Sequence, residues 1–93
     1  MQMKALFFYL GVIMMYVEIT IDLKHYNGER FDIRLSNYFS VKKMVDIVWQ
    51  AKNLQTDPRE GYWIRISNRQ AVLSGNERLI DCGVTTGDCV EIL

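Results

Sequence analysis

From Val17 to Leu35 the chain is written in two alternating runs, and that alternation limits the fold more than any other feature. In Val17-Glu18-Ile19-Thr20-Ile21-Asp22-Leu23 every second residue is apolar. A period of two is the signature of a strand with one buried face, so Val17, Ile19, Ile21 and Leu23 are predicted to point into a core. Asn27-Gly28 then supplies the positive φ angles of a tight hairpin turn. The returning run, Arg30-Phe31-Asp32-Ile33-Arg34-Leu35, alternates again and sets Phe31, Ile33 and Leu35 on the same side. These segments predict an antiparallel hairpin.

After Tyr38-Phe39 the period changes. Ser40 is a good N-cap, and Val41, Met44, Val45, Val48 and Ala51 recur at steps of three and four. An amphipathic helix from about Val41 to Asn53 is predicted. Burying each of its larger apolar side chains against the hairpin contributes roughly 1.5–3 kcal/mol before entropy is subtracted. Packing must hold this helix, because a segment this short is marginal alone in water.

Asp57-Pro58-Arg59-Glu60-Gly61 reads as a loop, since proline cannot continue the helix. Tyr62-Trp63-Ile64-Arg65-Ile66 reads as a strand, Ser67–Gln70 as a turn and Ala71-Val72-Leu73 as a short strand. A long connection, Ser74–Thr86, carries Leu79, Ile80 and Val84 as anchors, and Cys89–Leu93 is the last strand. This order predicts an α+β domain of the beta-grasp, ubiquitin-like type, a mixed sheet of four to five strands packed on one α-helix. The last strand would lie beside the first in the middle of the sheet, which accounts for the apolar character of both.

Composition narrows the function. A chain of 93 residues, 49% hydrophobic and with one proline, has material for one domain with a modest core. Eleven basic residues balance 11 acidic ones, interspersed, so no field exists to gather nucleic acid or an anionic membrane surface. Cys82 and Cys89 have no second pair with which to build a zinc site and read as small, largely buried apolar residues in a reducing cytoplasm.

The leader is a separate matter. Lys4 precedes an apolar run from Ala5 to Val17 that resembles a signal peptide, but no small-x-small cleavage site follows. The run is also shorter than the about 20 residues that a membrane span needs, so direct membrane insertion is not expected. Residues 1–14 are therefore read as an over-extended start ahead of Met14 or Met15, or a disordered extension, and 15–93 as the ubiquitin-like domain.

No reaction can be assigned. His25 sits beside the hairpin turn and reads as a solvated loop residue, with no hydroxyl and carboxylate placed to complete a triad. Asp81 and Asp88 suit turn and capping roles, and Gly83 and Gly87 suit turns but form no phosphate loop. Catalytic, cofactor-binding and metal-binding residues are thus none, and the protein is not expected to be an enzyme. Recognition by surface remains. If Tyr62, Ile64 and Ile66 point inward, Trp63 and Arg65 point outward, and exposed Trp and Arg are the types most enriched in interface hot spots. The plainer alternative for Trp63 is a cover for the edge of the core. Trp49 flanks the helix stripe, about 80° from Val41, and joins the candidates mainly as a residue packed on a loop. Lys42, Lys43, Asp46 and Gln50 form the helix's solvated face.

The stretches ITIDLKHYNGERFDIRLSNY, VKKMVDIVWQAK, PREGYWIRI and LIDCGVTTGDCVEIL together resemble the YukD/EsaB family of ubiquitin-fold proteins from Gram-positive type VII (ESX-like) secretion systems. The resemblance covers Tyr16 to Leu93 and includes many surface positions that a shared fold alone would not fix; the leader lies outside it. It implies a small, non-conjugating cytoplasmic accessory component that supports export of WXG-type substrates. It further implies protein partners in the secretion machinery, namely a membrane ATPase or a pseudokinase-like protein, with peripheral placement at the inner face of the membrane through them. A soluble regulator of secretion-substrate expression is the alternative. A covalent modifier or sulfur carrier ranks third, because VEIL carries no Gly-Gly and ends in a bulky residue on a predicted central strand. A homodimer, through an exposed strand edge or the apolar leader, stays open.

Overall fold

The computed structural model describes residues 15–93; the leader, with the expectations placed on it, lies outside the described residues. Strand β1 (Tyr16–Asp22) pairs antiparallel with β2 (Arg30–Ser36), in a register that sets Ile19 opposite Ile33. Val17, Ile19, Ile21 and Leu23 are buried, as the alternation requires. The turn between the strands is looser than a two-residue hairpin. Of Asn27 and Gly28 only Gly28 is left-handed (φ 82), and the Leu23 carbonyl accepts from the amides of both Tyr26 and Gly28. The loop therefore closes on Leu23, and Asn27 serves instead through its side chain, whose Oδ1 accepts from the Glu29 amide at 2.9 Å.

Helix α1 (Val41–Lys52) begins where Ser40 caps it, with the hydroxyl accepting from the Lys43 amide, and ends at left-handed Asn53 (φ 50). Val41, Met44, Val45 and Val48 are buried against the sheet. Ala51 is exposed, a departure from the expected stripe. It lies in the last turn about 80° from Val41, at the margin of the apolar face rather than within it.

The third strand is shorter than predicted. Only Ile64–Ile66 form β3, because Tyr62 follows left-handed Gly61 (φ 90) and is itself left-handed (φ 53), so the chain enters the sheet one turn later. The Trp63 carbonyl still accepts from the Leu93 amide. β4 (Ala71–Leu73) pairs antiparallel with β3, and β5 (Cys89–Ile92) runs parallel to β1 and antiparallel to β3. The resulting five-stranded mixed sheet has the order β2-β1-β5-β3-β4, with first and last strands adjacent at its centre. In the long connection Leu79 and Val84 are buried and Ile80 is half-buried. That connection is stitched to the start of the helix: the amides of Val41 and Lys42 donate to the carbonyls of Glu77 and Gly75.

Candidate functional site

The face of the sheet turned away from α1 carries the chemistry. Register aligns one residue from each strand into a row, Arg30–Asp22–Glu91–Arg65–Val72. Its two central members are carboxylates on central strands, and both are buried, Asp22 at 4% exposure and Glu91 at 4%. A carboxylate loses most of its hydration in such a position and persists as an ion only with partners. Here they come from the flanks. Asp22 accepts from the Lys24 amide at 3.0 Å and is paired with Arg30 (3.4 Å) and Lys24 (3.8 Å). Glu91 is paired with Arg65 (3.3 Å) and accepts from His25 Nε2 at 2.6 Å.

His25 is thus no free loop residue. The hairpin loop folds it back over β5, where a carboxylate that can only accept fixes a proton on Nε2. Burial pushes the Glu91 carboxyl upward, but the His25 hydrogen bond, the Lys24 charge and the Arg65 charge and hydrogen bond outweigh it and hold the group below the ordinary glutamate range. The result is an ion-paired strip that orients Arg65 while leaving 38% of its side chain exposed.

Beside this strip lies the apolar part of the face. Trp63 and Val72 are each 48% exposed; Val72 stands opposite Arg65, and the bond from the Leu93 amide to the Trp63 carbonyl carries the β3–β5 register on to Trp63, two residues before Arg65. The Trp63 indole lies over Gly61, where an added Cβ would come within 2.5 Å of its Nε1, so glycine leaves the room in which the ring rests. The structure therefore brings Trp63 and Arg65 to one surface and adds Val72, which the sequence reading had given no role.

Trp49 is placed elsewhere. Its Nε1–H donates to the Thr56 carbonyl at 2.6 Å, and its ring meets Tyr26 edge-on with centroids 4.8 Å apart. It pins the segment that leaves α1. Near it a shallow hollow of ≈ 460 Å³ opens between the hairpin loop and the end of α1, lined among others by His25, Tyr26, Lys52 and Thr56.

Asp88 closes the turn before β5. Burial pushes its carboxyl up, but hydrogen bonds from the Thr85 amide (2.9 Å) and Asn68 (3.0 Å), and the charge and hydrogen bond of Arg69 (2.7 Å), lower it below the ordinary aspartate range. Asp81 pairs with Arg78 three residues earlier. Gly83 (φ 74) and Gly87 (φ 96) occupy left-handed turn positions. Cys82 and Cys89 are free and half-buried rather than largely buried. Burial and the Glu77 carboxylate raise the Cys82 thiol to about 11, so it stays protonated. Among the described residues no group of three or more His, Cys, Asp or Glu side chains could hold a metal ion, and no helix is long and apolar enough to cross a membrane.

Comparison with known proteins places the chain in a family. Residues 16–92 match the family model described as WXG100 protein secretion system (Wss), protein YukD. The chain is 60% identical over 79 residues to the ESX secretion system protein YukD of Bacillus subtilis (strain 168), covering 85% of this chain and 100% of that protein. It is 24% identical over 78 residues to the type VII secretion system accessory factor EsaB of Staphylococcus aureus (strain Newman), covering 84% and 96%. Among solved structures, the UBL domain of Plasmodium falciparum Dsk2 superposes with a TM-score of 0.60 at 17% identity, covering 85% of this chain and 100% of that one. A protein of Arabidopsis thaliana superposes with a TM-score of 0.61 at 13% identity, covering 84% of each. At such identities the structural likeness shows the ubiquitin-like fold alone.

Proposed function

The chain belongs to the YukD family of the WXG100 protein secretion system, and from that membership we propose that it works by docking onto the secretion machinery through the outer face of its sheet. It is a type VII secretion accessory protein with a ubiquitin-like fold. The finer reading is ours. The protein acts without catalysis, as a cytoplasmic, non-conjugating component held at the inner face of the membrane by its partners. Its contact with a membrane ATPase or a pseudokinase-like protein supports export of WXG-type substrates.

The observation that carries this reading is the pairing of exposed Trp63 and Val72 with an Arg65 that buried Glu91 holds in place. Aromatic and Arg anchors with fixed rotamers lose little entropy on binding, which is what interface hot spots exploit. The test is the double substitution Trp63→Ala with Arg65→Ala in the native bacterium. WXG-type substrate should stay in the cell, and a photo-crosslinker placed at Val72 should lose its adduct with the membrane ATPase or the pseudokinase-like protein. Cooperative thermal unfolding of the purified variant must be kept. Normal export with altered substrate abundance would instead favour a regulator of substrate expression.

A further inference from the structure

Among the described residues the sheet has two free edges, and they are unequal: β4 offers three residues, β2 offers seven. Hydrogen bonding fixes which groups of β2 are free. The Leu23 amide donates to the Glu29 carbonyl and the Asn37 amide to the Met15 carbonyl, both in the register that sets Tyr16 opposite Ser36. Bonded and non-bonded pairs alternate along an antiparallel ladder. The odd-numbered residues of β2 therefore bond β1, while Arg30, Asp32 and Arg34 turn their N–H and C=O groups away from the sheet. An edge of this length with unused backbone groups is a template for another strand.

We propose that this edge pairs with the same edge of a second copy of the chain, antiparallel, about a two-fold axis at Ile33. The occupant follows from charge. With the axis at Ile33, Asp32 of each copy stands opposite Arg34 of the other, in the hydrogen-bonded positions where the free backbone groups meet. An axis at Asp32 would set Asp32 against Asp32 and Arg30 against Arg34; an axis at Arg34 would set Arg34 against Arg34. Like charges directly opposite are destabilising, and axes at Phe31 or Leu35, which oppose no like charges, would pair only three residues of the strand, so the axis at Ile33, which pairs all seven, is singled out. A shift of one residue would aim the free groups at backbone already bonded to β1.

The side chains are available for this. Asp32 accepts from Thr20 through Oδ1 at 2.7 Å, which leaves Oδ2 for a cation. Arg34 lies over the Tyr16 ring at 5.7 Å and has no ion pair among the described residues. On the inner side, half-buried Phe31 and Ile33 would meet Leu35 and Ile33 of the second copy and continue the apolar layer across the junction. The face bearing Trp63 and Val72 lies at the opposite side of the sheet. The dimer does not depend on the docking reading and would present that surface twice.

Sedimentation of the full chain up to about 1 mM, a range suited to a small transient interface, should show twice the 10.9 kDa mass. Asp32→Arg and Arg34→Asp, taken singly, put like charges opposite across the axis and should each weaken the dimer about tenfold or more. An equimolar mixture of the two variants restores both opposite-charge pairs and should regain a heterodimer, with circular dichroism matching the parent. Should either variant fail to fold, Ile33→Cys gives a second measurement. Position 33 faces itself across the axis in a non-hydrogen-bonded pair, so mild oxidation should yield an Ile33→Cys homodimer and no dimer from Val72→Cys. A parent that stays monomeric, single variants that dimerise as it does, or equal crosslinking at both positions would overturn the proposal.

Discussion

The two faces of this one sheet are stabilised by opposite means. The inner face is a continuous apolar surface, in which Ile19, Ile21, Ile64, Ile66, Val90 and Ile92 are buried under Met44, Val45 and Val48. The outer face also buries side chains at its centre, but they are the carboxylates of Asp22 and Glu91, covered by the cations that neutralise them. Apolar burial is non-directional and tolerates sliding, whereas ion pairs hold particular side chains in particular directions. The inner face accordingly sets stability, and the outer face sets what a partner meets.

The sharpest way to break this contrast is from the inside. Ile21→Ala removes a fully buried side chain from a central strand, and a large-to-small change there costs about 2–5 kcal/mol. Urea unfolding followed by circular dichroism should show that loss as a lower midpoint with an unchanged slope. A loss under about 1 kcal/mol would mean the core collapses around the site, against the close packing assigned to it.

The outer face should respond less to a comparable change at its centre. Glu91→Gln keeps the shape but removes the charge that Arg65 and His25 share. Breaking a buried pair can cost several kcal/mol, but 38% of the Arg65 side chain and 35% of that of His25 are exposed, so both partners recover water. The cost should fall to about 1–3 kcal/mol. The same strip gives the fold an acid limit. The Glu91 and Asp88 carboxyls are depressed in the folded state, so the unfolded chain binds protons first as the pH drops. Their stabilisation is complete above the ordinary carboxylate range and is lost as pH falls through it toward the folded values. Thermal melts from pH 7 down to about 3 should show a decline that begins near the ordinary carboxylate values, and Glu91→Gln should make it shallower. An equally steep decline in the variant would remove Glu91 from the acid response.

The contrast also explains what could be read from the sequence. β1, β2 and α1 were legible because their signals are local: alternation, a serine cap and a stripe of three- and four-residue steps. The burial of Glu91 was not, since Glu91 in a strand that alternates Val90 inward reads as an outward, solvated residue, and its cover comes from residues 66 and 26 positions away. His25 is the exposed turn residue expected, but its contact with Glu91 was not legible for the same reason, as that partner lies at the other end of the chain. Tyr62 fits a strand by type, yet Gly61 and Gly75 bring two backbone segments together beside it, with the Gly75 amide donating to the Gly61 carbonyl, and the chain turns there instead. Two-residue alternation suggested that Trp63 and Arg65 share a face; Trp63 stands just ahead of β3, where its carbonyl's bond to the Leu93 amide continues the register, and that Val72 stands beside Arg65 required the register of β3 with β4.

The smallest expected change in stability is the one that most directly separates the two roles. Val72→Thr keeps a β-branched side chain on a short edge strand and exchanges one exposed methyl group for a hydroxyl. At 48% exposure and with no buried partner to lose, the stability change should stay within about 0.5 kcal/mol. Strand propensity is likewise preserved. If the outer face docks, that hydroxyl sits in the apolar centre of the interface without a partner, and export of WXG-type substrate should fall although melting does not. An export level equal to the parent would shift the docking contact away from Val72 and leave Trp63 and Arg65 to carry it. A lowered melting temperature would show instead that β4 depends on Val72 for its packing, and the division of labour between the faces would fail at that strand.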